Sequence, residues 1–95
     1  MAQIEVKRLR DFPEYRAEVI IRGESITKHN VTIARDYYDR LPAGFVTPEK
    51  LVEESFEFLL AREPNTSILS EFDLAVISRY FPEYVQEMQR KFASR

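Results

Sequence analysis

Three pairs of carboxylates stand about one helical turn apart in this chain: Asp36/Asp39, Glu53/Glu57 and Glu83/Glu87. Side chains three or four residues apart share a helix face, so each pair can present two oxygen ligands, or an acid beside a base. For Glu53/Glu57 no histidine completes a Glu-x-x-His ligand set, which makes this pair a solvated helix face rather than a metal site. The single histidine, His29, falls on the same face of an alternating segment as Val31, where a hydrogen-bonded, half-buried ring is expected. There is no cysteine, which removes disulfides, thiolate metal sites and a thiol nucleophile. With only Gly23 and Gly44, neither a phosphate-cradling loop nor a dinucleotide fingerprint can be written. No serine sits in a nucleophile elbow. The residues thus predict no catalytic residue, no metal ligand and no cofactor, and a protein that is not an enzyme.

Two further groupings invite a binding role. Lys7-Arg8-Leu9-Arg10 can touch phosphate, but Asp11 and Glu14 follow closely, and a solvated segment is the expectation. Tyr37-Tyr38 and Tyr80-Phe81 can act as stacking platforms; in a chain with seven Phe and five Tyr they are expected to serve the core unless exposed together as a patch.

The elements that must position these groups follow from periodicity. Residues 14 to 22 alternate with period two, and residues 26 to 34 do so again after the turn signal Gly23-Glu24-Ser25, which predicts an antiparallel hairpin. Ile4 and Val6 add a short edge strand. Asp36 is expected to cap a short helix holding Tyr37, Tyr38 and Leu41 and ended by Pro42-Ala43-Gly44. Thr47-Pro48-Glu49 is the clearest start signal: a side-chain cap, a proline where no donor is needed, and an acid against the positive helix end. That helix should run from Pro48 to about Arg62, with Lys50 set to pair with Glu54. Its apolar residues fill roughly 200° of the wheel, so it must lie between the sheet and later helices or meet a second subunit. Beyond Pro64, Asn65 or Thr66 can cap a turn with Ile68 and Leu69, Asp73 can cap a helix over Leu74 to Phe81, and Pro82 opens a last helix. Strands first and helices after is the α+β pattern: an N-terminal hairpin on three to four helices, in one domain spanning 1–95.

Composition agrees. The chain has 95 residues, 44% hydrophobic and 32% charged, as in ordinary globular domains. A net charge of −2, with the acidic excess in the second half, lacks the basic footprint of a general nucleic-acid binder. No apolar run is long enough to span a membrane and the N-terminus lacks a signal-like stretch, so a cytoplasmic location and no membrane partner are expected.

"VTIARDYYDRL" followed by "TPEKLVEESFEFLLARE" gives strand, short helix, turn and longer helix, an order that resembles the ribbon-helix-helix DNA-binding proteins. The resemblance covers residues 28–62. It implies a ribbon formed by two subunits, Lys28, Asn30 and Thr32 as base-reading residues, and the wide apolar arc as a dimer core. The later stretch "SFEFLLAREPNTSILSEFDLAVISRYFPEY", with FLLAREP and YFPEY its most distinctive parts, resembles small bacterial proteins of uncharacterised function; this implies a bacterial source and no particular site. "FPEY" itself occurs twice, at 12–15 and 81–84, without a surrounding repeat, and each proline is expected to mark an element boundary that turns its preceding Phe towards the core.

The leading expectation is a non-enzymatic α+β domain acting through protein contacts or self-association. Its interface is expected at Phe56, Leu60, Tyr84, Met88 and Phe92, on the long helix and the C-terminal stripe. The alternative is a dimeric DNA-binding regulator of ribbon-helix-helix type.

Overall fold

The computed structural model describes residues 2–40 and 47–93. Three consecutive strands open the chain: β1 (Gln3–Arg10), β2 (Glu14–Arg22) and β3 (Ile26–Ala34). Two short helices and two longer ones follow: α1 (Arg35–Arg40), α2 (Pro48–Leu60), α3 (Ile77–Tyr80) and α4 (Tyr84–Ala93). Between α2 and α3 lies a fourth strand, β4 (Glu71–Asp73), and the class is α+β.

β2 and β3 form the expected hairpin, with Tyr15 opposite Ile33, Ala17 opposite Val31 and Val19 opposite His29. Alternation then sorts the side chains: Tyr15, Ala17, Val19, Ile21, His29, Val31 and Ile33 are buried on one face. Arg16, Glu18, Arg22, Lys28 and Thr32 fall on the other. β1 is longer than the expected edge strand about Ile4 and Val6, running antiparallel to β2 with an irregularity between Arg8 and Arg10. β4 was not foreseen. It runs parallel to β3, so the sheet is mixed, in the order β1-β2-β3-β4, rather than a lone hairpin. Three residues are too few for a period-two signal to register, and Phe72, between two acids, supplies the only apolar inward position.

Helix α2 starts where the sequence places it. Thr47 Oγ1 accepts from the Lys50 amide at 3.1 Å, and Pro48 occupies the first turn. The helix ends at Leu60, with Ala61 as C-cap, two residues before the expected Arg62. It lies centrally: Phe56 packs on His29 and Phe72 of the sheet, with ring centroids 5.4 and 5.8 Å away, while Phe58 meets Tyr84 of α4 edge-on at 5.3 Å. The wide apolar arc is therefore covered from both sides within one chain.

Several boundaries differ from expectation. Asp36 lies in the first turn of α1 rather than ahead of it, and both Leu41 and the expected stop at Pro42-Ala43-Gly44 lie outside the described residues. The turn Asn65–Ser67 is a 3-10 helix with no side-chain cap; the Asn65 side-chain amide donates to Ser25 O of the hairpin turn and Thr27 Oγ1 of β3 instead. Asp73 does cap the segment after it, accepting from the Ala75 amide at 3.0 Å. Pro82 and Glu83 form a turn, and α4 begins at Tyr84. No helix among the described residues is long and apolar enough to cross a membrane.

Candidate functional site

The carboxylates and basic residues singled out for chemistry are dispersed, and most are already engaged. Arg35 pairs with Asp39 at 3.6 Å, Arg62 with Glu83 at 3.2 Å and Arg90 with Glu87 at 3.8 Å. Lys50 holds both Glu53 (3.1 Å) and Glu54 (3.3 Å). Arg8 faces Asp11 and Glu49, and Arg10 faces Glu14. Among the described residues no group of three His, Asp or Glu side chains is placed to hold a metal ion.

Of the five residues expected to form an interface, four are buried. Phe56 and Tyr84 are fully buried, Met88 and Phe92 nearly so, and Leu60 packs half-buried against the same core. The physical reason is the central position of α2: apolar surface that exceeds one neighbour is shared between the sheet and α4. Lys28, Asn30 and Thr32 do share the open face of the sheet, as their alternation requires. There Lys28 lies 3.8 Å from Glu18, and Thr32 donates to Asp73 at 3.0 Å. β3 has β2 along one edge and β4 along the other at Asn30–Thr32, which leaves no free edge there for a copy of itself.

What the fold does assemble is an apolar cleft at the C-terminal end of α2. Leu59 of α2, Ile68, Phe72 and Ile77 make its buried floor, Val76 and Phe81 its half-buried flank, and Leu69 and Tyr80 its rims. Its volume is ≈ 280 Å³. Tyr80 is 69% exposed and Leu69 50%, among the most exposed large apolar residues described. Two other depressions are as large, at ≈ 290 Å³ each, so size does not single the cleft out. Their polar residues, however, are already spoken for: Arg10 with Glu14, Arg16 with Glu71 and Thr32 with Asp73 in one, Lys50 with Glu53 in the other.

His29 holds one wall of the cleft in place. A carbonyl can only accept, so the imidazole Nδ1–H donates to Leu69 O, at 2.7 Å. Nε2 lies 2.9 Å from the Thr27 hydroxyl, which also accepts from Asn65 Nδ2 at 3.0 Å. With the Asn30 amide on Ser70 O at 2.8 Å, the 65–70 segment is clamped to β3 along its length. Sequence reading foresaw a satisfied histidine here but not the wall it fixes, because Leu69 lies 40 residues away. The aromatic pair Tyr80-Phe81 is split: Phe81 packs half-buried on the core, and Tyr80, the last residue of α3, is exposed.

One acid lines the cleft, Glu63, half-buried just past the end of α2. Among the described residues it makes no ion pair. Its neighbour Arg62 is turned away: the guanidinium lies 3.6 Å over the Phe58 ring, donates to Phe58 O and pairs with Glu83.

No protein-family model, curated protein or solved structure matches this chain.

Proposed function

We propose that this chain is a non-enzymatic interaction domain that docks a protein partner in the cleft at the end of α2. The role is carried by one observation: Tyr80 and Leu69, exposed at 69% and 50%, stand over a floor of buried apolar side chains. An exposed tyrosine beside a recess is the local composition that interface hot spots favour, and Leu69 extends the apolar contact around it. The clamp through His29 and Asn65 supports it further, because a wall held before binding loses little freedom on binding.

Site-specific photo-cross-linking in the source cell tests this role. A cross-linker at Tyr80 is expected to yield a discrete protein adduct that the same group at Arg16, on the open sheet face, does not. Equal smears from both positions would end the proposal. The alternative, a DNA-binding regulator, has the shared face of Lys28, Asn30 and Thr32 in its favour and the interleaved acids Glu18, Glu71 and Asp73 against it. It predicts salt-sensitive duplex binding that is lost when all three residues are changed to alanine.

A further inference from the structure

We infer that the occupant of the cleft is a short peptide segment of a partner protein in which a bulky apolar side chain stands next to a lysine or arginine. This rests on the docking role proposed above and specifies its chemistry.

Three features lead there. The volume of ≈ 280 Å³ falls just below the range of about 300–1,000 Å³ typical of small-molecule pockets, and suits one or two side chains better than a drug-sized ligand. The apolar rims and floor call for an aromatic or branched aliphatic group between Leu69 and Tyr80. Glu63 then sets the charge. It is half-buried in the lining, without an ion-pair partner among the described residues, and it lies at the negative end of α2. The amides of Arg62 and Glu63 both already bond to Leu59 O, at 2.9 Å each, so neither is free to bind an anion, and the group offered to a visitor is the Glu63 carboxylate. A cation is favoured there and an anion is repelled. A second copy of the chain carries similar chemistry at Leu9, which is 48% exposed between Arg8 and Arg10. That contact would join two different surfaces and closes as a twofold dimer only if both reciprocal contacts form at once; otherwise it runs on head to tail. A separate peptide meets the same chemistry without that constraint.

The test uses the intact domain to select from a library of random short peptides displayed on phage, with wild type, Tyr80→Asp and Glu63→Lys as parallel baits. Each variant is first checked for an unchanged amide spectrum away from its own site. Wild type is expected to enrich peptides with an apolar residue adjacent to Lys or Arg. The strongest of these, made synthetically, should shift the amide signals of Leu69, Phe72 and Tyr80. Tyr80→Asp should abolish its binding, and Glu63→Lys should weaken it about tenfold and select acidic peptides instead. Peptides that bind the cleft without a basic residue, and that Glu63→Lys leaves unaffected, would overturn this inference while leaving the docking role standing. Equal retention by wild type and Tyr80→Asp would overturn both. A mass that rises with concentration in light scattering, and falls back in Tyr80→Asp and in Leu9→Asp alike, would reassign the cleft to a second copy.

Discussion

Tyr84 and Ser55 show what a single hydroxyl does in this core. Both side chains are fully buried, with their oxygens 2.6 Å apart, and the Ser55 hydroxyl donates to Leu51 O at 2.7 Å. A hydroxyl has one proton, so the Tyr84 O–H must donate to Ser55 Oγ. Burial pushes the Tyr84 phenol well above its ordinary range, so the group is a neutral donor throughout physiological pH. Tyr84→Phe removes one buried bond and should cost about 1 kcal/mol. Ser55→Ala strands the Tyr84 proton in the core and should cost more, about 1–3 kcal/mol. In chemical denaturation the double variant should lose less than the sum of the two, because the stranded donor is then gone. Serine inside a helix reads from sequence as a mild propensity defect; its partner, 29 residues on, does not. The two FPEY strings teach the same lesson. The first has a cis Phe12–Pro13 bond and leads into β2; the second ends α3 and leads into α4. In both, as the residue order suggests, the Phe packs on the core: Phe12 lies 5.3 Å from Tyr15 and 5.1 Å from Tyr38, and Phe81 lies 5.8 Å from Phe58.

Between elements, the junction of α2 and α4 is built on charge as well as on Phe58 and Tyr84. Glu54 is buried under Lys91 of α4 and Lys50 of its own helix, and Lys91 also reaches Glu57 at 3.9 Å. Burial pushes the Glu54 carboxyl up, but hydrogen bonds from Lys91, Glu57 and Lys50 outweigh it and hold the group below the usual range. The same hydrogen bond to Glu54, followed by partial burial, raises Glu57. The two acids therefore act on stability with opposite signs. A raised acid costs stability when ionised, and that cost is relieved as pH falls through its raised value. A depressed acid contributes above its unfolded value, about 4.3, and that contribution is lost as pH falls through the depressed one. Denaturation midpoints measured against pH should thus rise slightly on the acid side of neutrality and then fall below about pH 4. Glu57→Gln should remove the rise, and Glu54→Gln should flatten the later fall. The helix itself, its Thr47 cap and the Lys50 pairing are legible from residues 47 to 54. Glu54 as a buried latch is not, because the sequence offers it only Lys50 of its own helix, and Lys91 arrives from α4.

For the whole molecule the question is which apolar residues hold it together and which meet a partner. Phe56 touches His29 and Phe72 at the centre of the core. Phe56→Ala should therefore cost about 3–5 kcal/mol, a large share of the about 5–15 kcal/mol that domains possess, and should show as a collapse in denaturation midpoint. Tyr80→Ala should stay within about 0.5 kcal/mol of wild type, as expected of a side chain that projects into solvent. Were the two costs to come out reversed, the assignment of core and surface would be wrong. From the sequence alone came the class, the hairpin strands, the start of α2 and the satisfied state of His29, all set by periodicity, caps and turns within a few residues. Tertiary structure alone decided three things: that the wide face of α2 is consumed inside one chain, that residues 71–73 join the sheet, and that Glu63, Leu69 and Tyr80 converge on one cleft. Each depends on contacts between residues far apart in the chain, and local patterns cannot say which of several apolar surfaces a given face will meet.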